Sequence, residues 1–328
     1  MPALDKPLHE LRKYQGINPR PADFDAFWER ALAELDATPP QPELKRVDVL
    51  GDTRAELFDL TFTGVGGARI YAKYLRPGGT RAPAPAVLQF HGYSANSGDW
   101  SDKLNFVHEG YAVAALDCRG QGGRSEDNLQ AVGNTHEGQL IRGLDGPPQK
   151  LLFRQIFLDT VQLARVVIAQ PEVDPARVAT MGGSQGGALA LACAALEPRI
   201  RRVVSWYPFL SDYQRVWEMD LAKDAYAALR AYFRRFDPRH ERTAEIFTKL
   251  GYIDVQHLAG RIRGDVLMGI TLMDNICPPS SQFAAYNRIT ARKEAVIYPD
   301  FGHEGLPGFS DSAFRFLMEM KRDGPAAA

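Results

Sequence analysis

The sequence predicts an α/β chain built on a mostly parallel central sheet flanked by helices, and three observations carry that prediction. From Ala86 onward, short apolar runs alternate with helical stretches, the rhythm of strands joined by crossovers. One run, Val178-Ala-Thr-Met181, leads through Gly182-Gly183-Ser184-Gln185-Gly186 into an Ala/Leu-rich helix. Two later runs end on a carboxylate, Asp274, and on a histidine, His303. The Gly-x-Ser-x-Gly turn between strand and helix is the nucleophile elbow of the α/β-hydrolase fold. Its flanking glycines, Gly182 and Gly186, leave room for strand and helix to close tightly. The fold class predicted is therefore the α/β-hydrolase fold, with an N-terminal extension over 1–44, a helical insertion over about 208–261, and one domain spanning 1–328.

The N-terminal extension carries one clear helix. Asp23 is placed to cap it, and Phe24, Phe27, Trp28, Ala31 and Leu35 recur at helical spacing as a packing face. Pro39, Pro40 and Pro42 end it. Strand-like segments follow at Lys45–Leu50, Ala55–Thr63 and Arg69–Arg76, the last two joined by the glycine-rich turn 64–67 of an antiparallel hairpin. Val87–Phe90 and Tyr111–Leu116 read as strands buried on both faces. Leu151–Ala169 reads as a long helix, and Arg202–Trp206 as the strand after the elbow. The rhythm then breaks into a Tyr-, Phe- and Arg-rich helical segment expected to cover the site. Asp265–Thr271 and Glu294–Tyr298 resume the strands, Ser312–Lys321 closes with a helix, and the tail from Gly324 is expected to fray.

Bulk properties narrow the function classes. The 328 residues are 45% apolar and 24% charged with a net charge of −1, an ordinary globular balance that gives no reason to expect a nucleic-acid partner. No apolar run approaches a membrane span, and the start of the sequence lacks the layout of a signal peptide. Cys118, Cys193 and Cys277 are far apart and odd in number, which fits a reducing, cytoplasmic setting. Their spacing offers no metal cage, so neither metal nor cofactor is expected.

A serine needs a base, and in this fold the partners follow in the order serine, acid, histidine, on loops after late strands. That order assigns Ser184 as nucleophile, Asp274 as orienting acid and His303 as general base. Asp265 lies at the wrong end of its strand, and Asp300 is too close to His303. His91 precedes the serine, and His9, His108, His136, His240 and His257 read as surface or loop residues. The oxyanion of acyl transfer needs two fixed donors, assigned to the backbone N–H groups of Gln185 and Tyr93, the latter in the loop Phe90-His91-Gly92-Tyr93-Ser94. The loop 117–124 hints at a dinucleotide motif through Gly120 and Gly122, but the third glycine is misplaced. Arg119 and Gln121 are better read as buttressing the active-site floor.

Five strings together, His91-Gly-Tyr, Arg119-Gly-Gln-Gly-Gly, Gly182-Gly-Ser-Gln-Gly, Met273-Asp-Asn-Ile-Cys-Pro-Pro-Ser and Gly302-His-Glu, resemble the acetyl xylan esterase/cephalosporin-C deacetylase family, carbohydrate esterase family 7. The resemblance covers nearly the whole chain. It implies a cytoplasmic serine esterase that removes acetyl groups from small acetylated sugars, xylo-oligosaccharides above all, and from cephalosporin C. It further implies a homohexamer whose sites face an internal cavity, and the same roles for Ser184, Asp274, His303, Tyr93 and Gln185. The alternatives are another hydrolase of this fold, a peptidase or broad short-chain carboxylesterase, and a non-catalytic binding protein on a hydrolase scaffold. The last would be expected to have lost a triad member.

Overall fold

The computed structural model describes residues 4–51, 54–79, 83–132 and 138–322. His136 and the tail from Gly324 lie outside them. Among the described residues nine strands form one sheet: β1 (Glu43–Val47), β2 (Ala55–Thr63), β3 (Arg69–Pro77), β4 (Ala84–Phe90), β5 (Ala112–Leu116), β6 (Val173–Gly183), β7 (Ile200–Trp206), β8 (Asp265–Thr271) and β9 (Lys293–Tyr298). Their order is β1-β2-β3-β5-β4-β6-β7-β8-β9. Strands β1 to β3 pair antiparallel, and β3 joins β5 antiparallel. Every pairing from β5 to β9 is parallel. The chain order reverses around β4, which has β5 on one side and β6 on the other. Crevices for ligands open at the carboxyl ends of strands at such a switch point.

The helices are α1 (Leu8–Leu11), α2 (Phe24–Asp36), α3 (Leu104–His108), α4 (Leu152–Ile168), α5 (Gln185–Leu196), α6 (Tyr213–Glu218), α7 (Ala227–Phe236), α8 (Thr243–Leu250), α9 (Val255–Leu258), α10 (Pro279–Arg288) and α11 (Phe309–Met318). Alternation along the strands divides the core between the two faces. Ala86 and Leu88 of β4 and Ala112 and Ala114 of β5 join the larger cluster with α2, α4 and α5, while Val87 and Val113 join a smaller one with α3 and α11. All twelve residues of α5 are buried, and its apolar character runs all round the helix, as a helix sunk in a core requires. Its small residues bring it close to the sheet: a Cβ on Gly187 would meet Ser205 Oγ at 2.8 Å.

Some elements depart from the sequence reading. The stripe Phe24, Phe27, Trp28, Ala31 and Leu35 is buried, but Asp23 does not cap α2 with its side chain. Its carboxylate instead accepts from the Tyr252 hydroxyl and from Arg30, tying the extension to the insertion and to its own helix. β1 runs over Glu43–Val47 rather than 45–50. His257 is not a surface residue: it sits in α9 with 7% of its surface exposed, its ring edge-on to Phe24 at 5.8 Å.

Candidate active site

Ser184 stands between β6 and α5 with φ 54° and ψ −120°, a left-handed conformation that costs a side-chain-bearing residue about 1–3 kcal/mol. The surroundings hold it there. Ser184 N donates to Trp206 O at 3.0 Å, and Ser184 O accepts from Phe209 N at 3.0 Å and Ala188 N at 3.1 Å. The flanking residues must be glycine: a Cβ on Gly182 would lie 2.5 Å from the Gly186 carbonyl, and one on Gly186 would lie 2.0 Å from Phe90 O. Trp206 closes the other side, since a Cβ on Gly183 would sit 2.1 Å from its Nε1.

Asp274 follows β8 and His303 follows β9. Asp274 is fully buried, and its Oδ2 accepts from His303 Nδ1 at 2.7 Å. Its Oδ1 accepts from the backbone N–H groups of Ile276 and Cys277, each at 2.8 Å. Those bonds fix the carboxylate, which in turn selects the His303 tautomer that leaves Nε2 as acceptor. The alternative carboxylates lie elsewhere: Asp265 pairs with Arg292 at 3.6 Å, and Asp300 is exposed. Cys277 lies beside the pair, and burial raises its thiol well above the ordinary thiol range, so it stays neutral. Asp274, Cys277 and His303 each bring a donor atom within 4.8 Å of the others.

The two backbone donors assigned to the oxyanion, Tyr93 N and Gln185 N, have no acceptor among the described residues. The loop holding Tyr93 is fixed by His91, whose Nδ1 lies 2.7 Å from Gly92 O and whose Nε2 accepts from Cys118 N at 3.0 Å. These contacts need the neutral Nδ1–H tautomer, and burial lowers His91 accordingly. Tyr93 is pinned at its other end, its hydroxyl accepting from Gln139 N at 2.8 Å and its ring edge-on to Phe209 at 5.4 Å.

A family model described as acetyl xylan esterase (AXE1) matches residues 1–320. The chain belongs to the acetyl xylan esterase family. It is 58% identical to acetyl xylan esterase 1 from Thermoanaerobacterium sp. JW/SL YS485, whose solved structure superposes with a TM-score of 0.95 over 96% of this chain and 99% of that one. The acetyl xylan esterase from Paenibacillus sp. R4 is 35% identical, with a TM-score of 0.91 over 95% and 99% of the two chains. Acetyl esterase Axe7A of Xylanibacter ruminicola is 28% identical over 295 residues, which is 88% of this chain and 64% of that protein's length. The chain thus spans under two thirds of that relative.

In this acetyl xylan esterase family member the Arg119–Gln121 segment divides its work. Gln121 reaches the site: its side-chain amide pairs reciprocally with that of Gln185 at 2.9 and 3.0 Å, and its Oε1 accepts from Ser94 N at 3.0 Å. Arg119 turns into the core and grips Asp159 of α4 with two 2.6 Å bonds, both partners almost completely buried. Burial alone would depress the guanidinium, but Asp159 lifts it above its ordinary value.

Three residues beside the site escape the sequence reading. Tyr207, at φ 34°, lays its ring 4.4 Å from that of His303. Gln282 of α10, fully buried, clamps the Asp274 loop: it accepts from Thr271 N at 3.1 Å and donates to Thr271 Oγ1 at 3.1 Å and Cys277 O at 2.7 Å. Cys277 is the third. Only its place in a short string after β8 marked it, and the approach to His303 depends on two loops meeting across the sheet.

Proposed function

We propose that this chain is a serine esterase that removes acetyl groups from small acetylated carbohydrates, acetylated xylo-oligosaccharides first and cephalosporin C as well, through an acetyl-Ser184 intermediate. The observation that carries this reading is the 2.7 Å bond from His303 to buried Asp274, taken together with a serine held at a strained elbow. His303 Nε2 takes the Ser184 proton as Oγ attacks the acetyl carbonyl. The N–H groups of Tyr93 and Gln185 stabilise the resulting oxyanion, the interaction that strengthens most as charge develops. His303 then protonates the departing sugar oxygen, and afterwards activates the water that releases acetate. Asp274 orients the imidazole and balances its charge. No step calls on a metal or cofactor.

The whole of 1–328 is read as one catalytic domain, with the insertion over about 208–261 bordering the site. Phe209 N bonding to Ser184 O and the Phe209–Tyr226 ring contact at 4.4 Å support that placement. A homohexamer working in the cytoplasm is supported by the resemblance to carbohydrate esterase family 7. Among the described residues no helix is long and apolar enough to cross a membrane. A broad short-chain carboxylesterase is the second reading. A cavity of about 360 Å³ lined by Trp206, Tyr207, Leu306, Phe309 and Phe314 gives it apolar surface near His303. An acyl-length series with one leaving group decides between them: acetyl esters hydrolysed much faster than butyryl support deacetylation, and equal rates support the second reading.

A further inference from the structure

We propose that Asp274, Cys277 and His303 together form an inhibitory site for a soft divalent cation of the zinc and cadmium class. This inference rests on the hydrolytic reading only in its effect on activity; the binding stands on geometry. The three residues supply a carboxylate oxygen, a sulfur and an imidazole nitrogen, the donor types such ions take. One donor atom from each lies within 4.8 Å of the others. Bonds of about 2.0–2.3 Å to a tetrahedral zinc place neighbouring donors roughly 3.3–3.8 Å apart. Donors as far as 4.8 Å apart must close by about 1.0–1.5 Å, and His303 Nδ1 and Asp274 Oδ2, now at 2.7 Å, must open by about 0.6 Å, shifts within reach of side-chain torsions.

A water from solvent completes the tetrahedron, as at zinc sites that have three protein ligands. Asp274 is held for the role, because the Ile276 and Cys277 N–H groups occupy Oδ1 and leave Oδ2 turned toward His303. Access is through His303, whose side chain is 19% exposed while that of Asp274 is closed to solvent. Among the described residues no other group of three such donors comes together. Cys193 spends its thiol on Thr160 O, and Cys118 lies against the Gln185 amide.

The exchange balances simply. The cation binds the Cys277 sulfur as that thiol gives one proton to solvent, and it replaces the Nδ1–H···Oδ2 contact between His303 and Asp274 or takes the other ring nitrogen. Either way the imidazole can no longer accept the serine proton, so occupancy and hydrolysis are mutually exclusive. Cys277 itself has no part in the hydrolytic steps.

The test is a titration of the full chain with cadmium chloride, following the ultraviolet thiolate-to-cadmium absorption and the hydrolysis of p-nitrophenyl acetate in parallel. The expected result is a band that saturates at one ion per chain, activity falling along the same curve, and both reversed by EDTA. Cys277→Ala should lose the band and need at least roughly tenfold more cadmium for half-inhibition, the scale on which metal sites weaken when their shells are altered. Cys193→Ala should behave as the unaltered chain. If Cys277→Ala fails to fold, His303→Gln serves instead, with cadmium affinity read from the band dropping by a similar factor. Absence of the band in the unaltered chain, its persistence in Cys277→Ala, or full hydrolysis at saturation overturns the proposal. A chain that shows the band and never hydrolyses acetyl esters would overturn the esterase reading and leave the site standing.

Discussion

The His303 imidazole meets the Asp274 carboxylate at 2.7 Å, with the opposite carboxylate oxygen bound by two backbone N–H groups of its own loop. An amide at position 274 would present N–H to Ile276 N and Cys277 N or to His303 Nδ1, and so favour the wrong imidazole tautomer. Asp274→Asn should therefore lower kcat by about four powers of ten while the protein stays folded, by analogy with the equivalent change in a comparable triad. Near-normal kcat in that variant would move the orienting role to another carboxylate.

The Gln282 clamp makes a separate prediction. Gln282→Met fills similar space but leaves Thr271 N and Cys277 O without the side-chain partner they now share, each loss worth about 1–3 kcal/mol when buried. The Asp274 loop should then loosen, lowering kcat more than it changes KM. Gln282→Glu, which keeps the acceptor for Thr271 N, should recover part of kcat. Equal changes in kcat and KM in both variants would reduce Gln282 to a packing residue.

Gly186→Ala tests the elbow. The added methyl meets Phe90 O at 2.0 Å, and a backbone atom in a central strand cannot move aside. Overpacking of this kind costs about 1–3 kcal/mol or more and would displace the Ser184 turn. A fall in Tm with esterase activity down at least a hundredfold, on the order of the loss of one oxyanion donor, is expected. Unchanged Tm and activity would show that the turn is looser than drawn.

Stability should depend on pH through His257. Burial chiefly, with Arg288 and Arg20 nearby, pushes it down to about 4, against an ordinary value of 6.5. The unfolded chain therefore takes up this proton first, so the contribution is complete above about pH 6.5 and drains away as pH falls toward 4. The loss amounts to about 3 kcal/mol at most. Denaturation midpoints of the unaltered chain and of His257→Leu, compared across that window, should show a flatter slope in the variant. Parallel slopes would contradict the assignment.

Much of this was legible in the sequence because short-range physics fixes it. β2 and β8 match the predicted segments residue for residue, since alternation and burial act locally. The glycines around Ser184 announced the elbow because no other residue fits there. Helix α10 escaped because Pro278 and Pro279 look like a break, although proline is well suited to a helix's first position. Asp23 was the natural cap, but the Tyr252 and Arg30 partners that took its carboxylate emerge only once the chain is folded. Gln282 went unseen with the rest of α10, Tyr207 meets His303 from a distant segment, and His257 was buried by Phe24 from the far end of the chain. No local pattern encodes those meetings.

If acetate leaves through an ester on Ser184, its release from acetylated xylo-oligosaccharides depends on that hydroxyl, and the measurement to make is this release, side by side for the unaltered chain and Ser184→Ala. Steady release is expected from the former and a drop on the order of a millionfold in the latter, with the fold unchanged by circular dichroism. A folded Ser184→Ala protein that kept even about a tenth of the rate, where the mechanism allows about a millionth, would contradict it.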